Sequence, residues 1–349
     1  MHYYDRFQAL PLISIIIPVF NVAPYLREAL DSVINQTYAN VEIIIIDDGS
    51  TDESGAICDE YRHDPRVRVI HQENKGLSAA RNAGLVLMTG EMVAFLDSDD
   101  AYCLDYISSM HHAMLLHSSD VVICKYTIHH TTGKMDNSIK EEIRPEAIEG
   151  MYERTQALRA FVDGTINCSV WNKLYKSELW KNVRFPVGHV YEDMETICSI
   201  FDISRSIYVL NDLLYLHRKR PRSITTTKSW ENMQDYLKAD AHILSYIADH
   251  TPGIFSPEQK RKWSESYLKK MIVAYLRFNR EELVTQIMEA AKEIDIIACN
   301  LRVRTAYWMF RFCPRLLRCC YPFYHPVRKI YLSSRKKYKK QFREQNHRG

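Results

Sequence analysis

The sequence has no run of about 18 or more uncharged apolar residues, the length that crosses a bilayer as a helix, so the chain is not expected to span a membrane by itself. Its nine cysteines are scattered without a Cys-x-x-Cys pair and are odd in number, which argues against a disulfide framework and for a reducing compartment. The first residues, Met1-His2-Tyr3-Tyr4-Asp5-Arg6, lack the basic and then apolar pattern of a secretory leader, and a cytoplasmic chain is the expectation. No internal repeat is detectable. Acidic residues are nearly missing from one end: residues 301–349 hold fourteen Lys or Arg and a single acid, Glu344, a net of +13 against about −10 for the remainder.

What is present is 349 residues at 46% hydrophobic content, enough for one large α/β domain and an appendage. Ser14-Ile15-Ile16-Ile17-Pro18 reads as a buried strand ending at the proline. Pro24 opens a helix to about Asn35 with Leu26, Ala29, Leu30 and Val33 on one face. Val41 to Ile46 is a second strand, followed by the turn Asp47-Asp48-Gly49-Ser50-Thr51-Asp52 and a helix over Glu53 to Tyr61. A third strand at Val67 to Ile70, a helix from Leu77 to about Leu87 and a strand from Met92 to Leu96 continue the alternation. Such alternation implies right-handed crossovers and a parallel sheet. A helix at 104–117, a strand at 120–126, a polar hairpin or loop from Thr127 to Gly150 and a mixed strand at Trp171 to Tyr175 follow. A helix then runs from about Asp193 to Ser204, and beyond Ser223 the pattern is mainly helical.

In such a sheet the polar turns after the strands share one edge, where open α/β sheets hold their ligands. The stretch Phe95-Leu96-Asp97-Ser98-Asp99-Asp100 delivers three carboxylates there, and alternation points Asp97 and Asp99 to the same side. That pair suits a hard divalent cation together with phosphate oxygens; the plainer reading is an acidic cap for the helix beginning near Leu104. Asp47, Asp48 and Arg81 converge on the same edge.

Seven segments, in order, resemble the family 2 glycosyltransferases. They are Ser14-Ile-Ile-Ile-Pro-Val-Phe-Asn21, Asp47-Asp-Gly-Ser-Thr-Asp52, Asn74-Lys-Gly-Leu-Ser-Ala-Ala-Arg-Asn-Ala-Gly84, Phe95-Leu-Asp-Ser-Asp-Asp100, Trp171-Asn-Lys-Leu-Tyr175, Glu192-Asp193 and Arg218-Lys-Arg-Pro-Arg-Ser-Ile224. The resemblance covers residues 12 to 226. It implies a GT-A-type fold, a Rossmann-like and mostly parallel α/β sheet flanked by helices, in an inverting enzyme that uses a nucleotide sugar, a UDP-sugar for preference. It assigns Asp48 and the adjoining Asp47 and Pro18 to the donor nucleotide, Asp97 to the ribose, Asp99 to Mn²⁺ or Mg²⁺, and Asp193 to the catalytic base.

The chemistry gives its own reasons for such groups. A cation stabilises the charge growing on a diphosphate leaving group, and inversion needs one carboxylate to take the acceptor's proton. Arg81, Arg218, Arg220 and Ser223 offer phosphate-matching donors, and His217 offers an imidazole to the metal shell. Trp171 is expected in the core. Arg81 could instead pair with a sheet-edge carboxylate, and Asp193 could be a plain helix cap.

The domain expectation is a catalytic domain at 1–226, a helical extension at 227–300 and a basic aromatic tail at 301–349. The tail's large apolar residues suit an anionic membrane surface rather than nucleic acid, and its prolines break it into pieces that lie on the bilayer. A glycan or lipid-linked glycan acceptor follows from the resemblance. The rivals are a nucleotidyltransferase, disfavoured because Pro18-Val19-Phe20-Asn21-Val22 has no glycine for a phosphate loop, and a non-catalytic adaptor.

Overall fold

The computed structural model describes residues 10–130, 147–220, 229–250, 253–292, 299, 301–315 and 317. The chain divides into two compact units, one up to Ile254 and one from Phe255 onward.

The first unit is built on a mixed sheet. Strands β1 (Ile13–Val19), β2 (Val41–Asp47), β3 (Val67–His71) and β4 (Met92–Phe95) are all parallel in the order β3-β2-β1-β4. The strand expected to stop at Pro18 continues through it to Val19, with Pro18 opposite Ile46. Every residue of β1 is buried, because helices cover both faces of this central strand. On one face Ile13, Ile15, Ile17 and Val19 pack with Leu26, Ala29, Leu30 and Val33 of α1 (Ala23–Ile34) and with Ile57 and Cys58 of α2 (Ser54–Glu60). On the other, Ile16 lies against Gly84 of α3 (Leu77–Leu87), where a Cβ would fall 2.4 Å from Ile16 Cγ2. Only glycine lets α3 approach that closely.

Beyond β4 the sheet turns mixed. After β5 (Ala101–Tyr102), α4 (Tyr106–His117) and β6 (Val121–His130) come β7 (Gly150–Glu153), α5 (Arg154–Val162), β8 (Lys173–Lys176), α6 (Glu192–Ile203) and β9 (Ser206–Lys219). β8 lies antiparallel between β4 and β6, β9 runs parallel to β6, and β5 and β7 pair antiparallel with β9. β7 and the long β9 have no counterpart in the sequence reading. Helix α7 (Trp230–His250) completes this unit. The second unit contains α8 (Pro257–Phe278), α9 (Glu282–Lys292) and α10 (Leu301–Phe312), with Tyr275 and Phe310 in edge contact at 5.0 Å. The segment expected as a tail thus opens with a regular helix.

Candidate active site

The carboxyl ends of β1, β2 and β4, the end of β9 and the start of α6 supply the side chains of the site. The turns after β1 and β2 are stapled together: Asn21, at φ 48°, accepts from the Thr51 N–H at 2.8 Å, and Ser54 Oγ accepts from the Val22 N–H at 2.9 Å. Asp47, at the end of β2, accepts from the Ser50 N–H at 3.1 Å and pairs with His71 Nδ1 at 2.7 Å, which raises the His71 pKa. Asp48 accepts from Gln72 Nε2 (2.6 Å) and from the N–H groups of Lys75 (2.9 Å) and Gly76 (2.8 Å). Asp48 therefore fastens the end of β2 to the start of α3.

The three carboxylates after β4 have separate partners. Asp97 meets Arg81 Nη2 at 2.8 Å, and the other arm of the same guanidinium meets Glu192 Oε1 at 2.5 Å. Arg81 is 3% exposed and lies over the Phe185 ring, so it links the loop after β4 to the first turn of α6. Asp99 Oδ2 is bound by Arg220 Nε at 2.5 Å. Asp100 accepts from the Tyr215 hydroxyl (2.7 Å) and the Arg218 N–H (2.6 Å) and pairs with His217 Nδ1 (3.1 Å). Burial nevertheless pushes the Asp100 pKa up to about 6. Neither Asp99 nor Asp100 caps a helix here, because α4 starts only at Tyr106 with Asp105 before it. Arg218 also donates to the Asp99 carbonyl (2.9 Å) and pairs with Glu28 (2.7 Å), and the Tyr25 ring lies beneath both Arg218 and Arg220.

Asp193 sits in the first turn of α6. Burial raises its pKa to about 7, the Glu192 charge adds to the effect, and Arg81 opposes it. Burial and the Asp193 charge raise the Cys168 thiol well above its ordinary value. Trp171 is buried, stacked on Tyr215 and His217 with ring centroids 4.3 and 5.0 Å away, so it packs as expected. Ser223 lies outside the described residues.

Among the described residues no group of three or more His, Cys, Asp or Glu side chains is arranged to hold a metal ion. Mg²⁺ and Mn²⁺ sites commonly use one or two carboxylates plus substrate phosphates, so Asp97 and Asp99 fit a centre completed by the donor rather than a protein cage. Arg220 competes for the Asp99 oxygen it now holds, and with His217 Nδ1 committed to Asp100 only Nε2 is left for a ligand. Tyr25, Glu28 and Tyr215 are missed by sequence reasoning, and none of them lies inside a recognised motif.

A parallel sheet with carboxylates on its rim, crossed by an acidic helix start, is the GT-A arrangement. The profile described as Glycosyl transferase family 2 matches residues 14–189, and the chain belongs to that family. Glycosyltransferase GlyG of Streptococcus pneumoniae is 36% identical over 230 residues, covering 63% of this chain and 75% of that protein. Glycosyltransferase GlyA of the same organism is 38% identical over 246 residues, 68% of this chain, but the chain spans only 35% of GlyA's length. Among solved structures, S. aureus TarS in complex with UDP-GlcNAc matches with a TM-score of 0.57 and 21% identity, over 86% of this chain and 91% of that one. The mannosyltransferase PcManGT of Pyrobaculum calidifontis, in complex with GDP-Man and Mn²⁺, matches with a TM-score of 0.55 and 17% identity, over 89% and 85%. These likenesses bear out the expected fold.

Proposed function

We propose that the protein is an inverting glycosyltransferase that moves a sugar from a nucleotide donor, a UDP-sugar for preference, to a glycan or lipid-linked glycan acceptor in the assembly of a surface polysaccharide or oligosaccharide. The observation that carries this reading is the Asp97–Arg81–Glu192 link, which joins the candidate donor loop to the helix that bears Asp193. A single displacement needs one carboxylate to take the acceptor's proton, and the enclosed Asp193 is available for that beside the carboxylates of the donor loop.

In this reading Asp47, Asp48 and Pro18 shape the nucleotide end of the site and Asp97 holds the ribose. Asp99, with His217 beside it, holds Mn²⁺ or Mg²⁺; bound there, the cation stabilises the charge that develops on the leaving diphosphate. Arg218, Arg220 and Ser223 donate to the diphosphate oxygens once Arg220 leaves Asp99. Arg81 acts through the carboxylates it bridges. Asp193 takes the proton of the acceptor hydroxyl as that oxygen attacks the anomeric carbon, and a basicity near neutrality suits the task. The test is release of nucleoside diphosphate from a panel of UDP-, GDP- and dTDP-sugars with and without MnCl₂. Turnover of one donor, abolished by chelation, is expected; turnover indifferent to metal across the panel contradicts the assignment of Asp99.

The basic segment 301–349 supports attachment to the anionic cytoplasmic face of a membrane. Among the described residues no helix is long and apolar enough to cross one. Helix α10 buries Val303, Tyr307 and Phe310, while Leu301 (67%), Trp308 (42%) and Phe312 (66%) are exposed at helical spacing beside Arg302 and Arg311. Large apolar groups flanked by arginines suit the lipid headgroup boundary. Replacing Trp308 and Phe312 together by Ser is expected to lower binding to phosphatidylserine vesicles by tenfold or more while nucleotide binding is retained. Equal sedimentation of variant and parent contradicts it.

A further inference from the structure

The two adjacent acids that end β2 are gripped by two adjacent residues at the end of β3. The strands run parallel with Asp47 opposite His71. Gln72 donates its side-chain amide to Asp48 and its N–H to the Asp47 carbonyl at 2.9 Å. His71 Nδ1 lies 2.7 Å from Asp47 Oδ2, while Nε2 of the same ring lies 3.1 Å from Asp59 Oδ1 of α2. A neutral imidazole carries one N–H, so a ring with both nitrogens against carboxylate oxygens satisfies both contacts only as an imidazolium. The hydrogen bonds to Asp47 and Asp59 raise the His71 pKa accordingly, against the burial that lowers it. The side chain is 41% exposed, so its proton exchanges with water.

The backbone leaves room for this contact. A Cβ on Gly55, in the first turn of α2, would fall 3.1 Å from Asp47 Oδ2 and 3.8 Å from His71 Cε1. The charged groups that face the ring are Asp47 from β2 and Asp59 from α2. Arg62, in the single turn Tyr61–His63 after α2, donates to the same Asp59 oxygen at 2.5 Å. Burial pushes the Cys58 thiol, beside both acids, up to about 12, so it stays protonated. What the ring holds is the turn at the nucleotide end of the site. Asp47 Oδ1 accepts from the Ser50 N–H, and the same turn is tied to the start of α1 through Thr51, Ser54 and Asp52, which accepts from the Ala23 N–H at 3.2 Å.

We propose that His71 is a positioning residue for the donor nucleotide: as an imidazolium clasped between Asp47 and Asp59 it fixes the turn that carries Asp47 and Asp48, and loss of its proton breaks one side of the clasp and weakens nucleotide binding. The effect on binding rests on Asp47 and Asp48 holding the nucleotide, the reading given above; the clasp itself does not.

The test reads the imidazole directly and needs no turnover. The His71 Cε1–H magnetic resonance signal of the full-length protein, assigned by its loss in His71→Gln or, should that variant fail to fold, in His71→Asn, is titrated through neutrality with and without saturating UDP and MgCl₂. The midpoint is expected above the ordinary histidine value of about 6.5, and about half a pH unit higher again with UDP, because binding and protonation favour each other equally; this equals about a threefold loss of UDP affinity above the midpoint. In Asp59→Asn the midpoint is expected to fall and the UDP shift to vanish, since an amide can donate to a neutral ring. A midpoint at or below the ordinary value overturns the proposal, as does one that UDP leaves unchanged. A UDP shift that persists undiminished in Asp59→Asn overturns it too, because it reports the charge of the diphosphate and not the clasp. UDP that binds at no pH is a different failure: it overturns the nucleotide reading and the positioning role together, while the midpoint still reports the clasp.

Discussion

Asp48 and Asp193 are acids in the same unit, held in opposite ways. Asp48 receives two backbone N–H groups and one side-chain amide, all pointing at its oxygens. Asp193 has Glu192 and Asp97 among its neighbours, and burial dominates its titration. A carboxylate saturated with N–H donors is a fixed brace, whereas one enclosed among other acids has a reason to accept a proton. In the proposed reading the donor half of the site is braced and the half around Asp193 carries the proton transfer.

The largest effect is expected where the donor half meets the cation. Asp99→Asn replaces a charged hard ligand with an amide and should abolish transfer and remove the Mn²⁺-dependent part of nucleotide affinity. Calorimetry with UDP, with and without MnCl₂, checks it. Cutting the link between the halves comes next. Arg81→Met leaves Asp97 and Glu192 facing each other, so stability should fall by about 3–5 kcal/mol in denaturant titration.

A smaller effect sharpens the contrast itself. Asp48→Asn cannot accept at both ends of its side chain and should lose about 1–3 kcal/mol. Asp193→Asn should instead stabilise the fold near and above neutral pH. The folded Asp193 pKa of about 7 lies above the unfolded value, so its ionisation penalises the native state. That penalty is absent below about pH 4, builds as pH rises toward about 7, and is constant beyond, so the advantage of Asp193→Asn in thermal melting should grow over that window. Equal responses of the two variants would erase the distinction between brace and base.

The donor half was legible because its signals are local. The β-branched runs of β1 and β2, Pro24 at the start of α1 and the turn Asp47 to Asp52 each declare themselves within a few residues. The other half depends on pairing at long range. β9 is interrupted by Asn211-Asp212 and is held as a strand by β6, β5 and β7. Asp100 has a polar run as its only local signal, and its partners Tyr215, His217 and Arg218 lie over a hundred positions away. For Arg81 the sequence leaves a donor contact and a sheet-edge carboxylate as alternatives; it pairs with Asp97 and also with Glu192, a contact that spans 111 positions. Lys173 reads as an ordinary strand lysine, because nothing in the sequence displays the oxygens of Asn167, Ser169 and Asn172 that surround its buried ammonium.

The central claim is that donor binding and proton removal reside in different carboxylates. It is tested most directly by measuring turnover and UDP binding on one preparation of Asp193→Asn under saturating MnCl₂. The account predicts a rate lower by about a hundredfold or more with UDP affinity nearly unchanged, whereas Asp97→Asn loses both. Near-normal turnover in Asp193→Asn, or a loss explained wholly by weakened UDP binding, would contradict it.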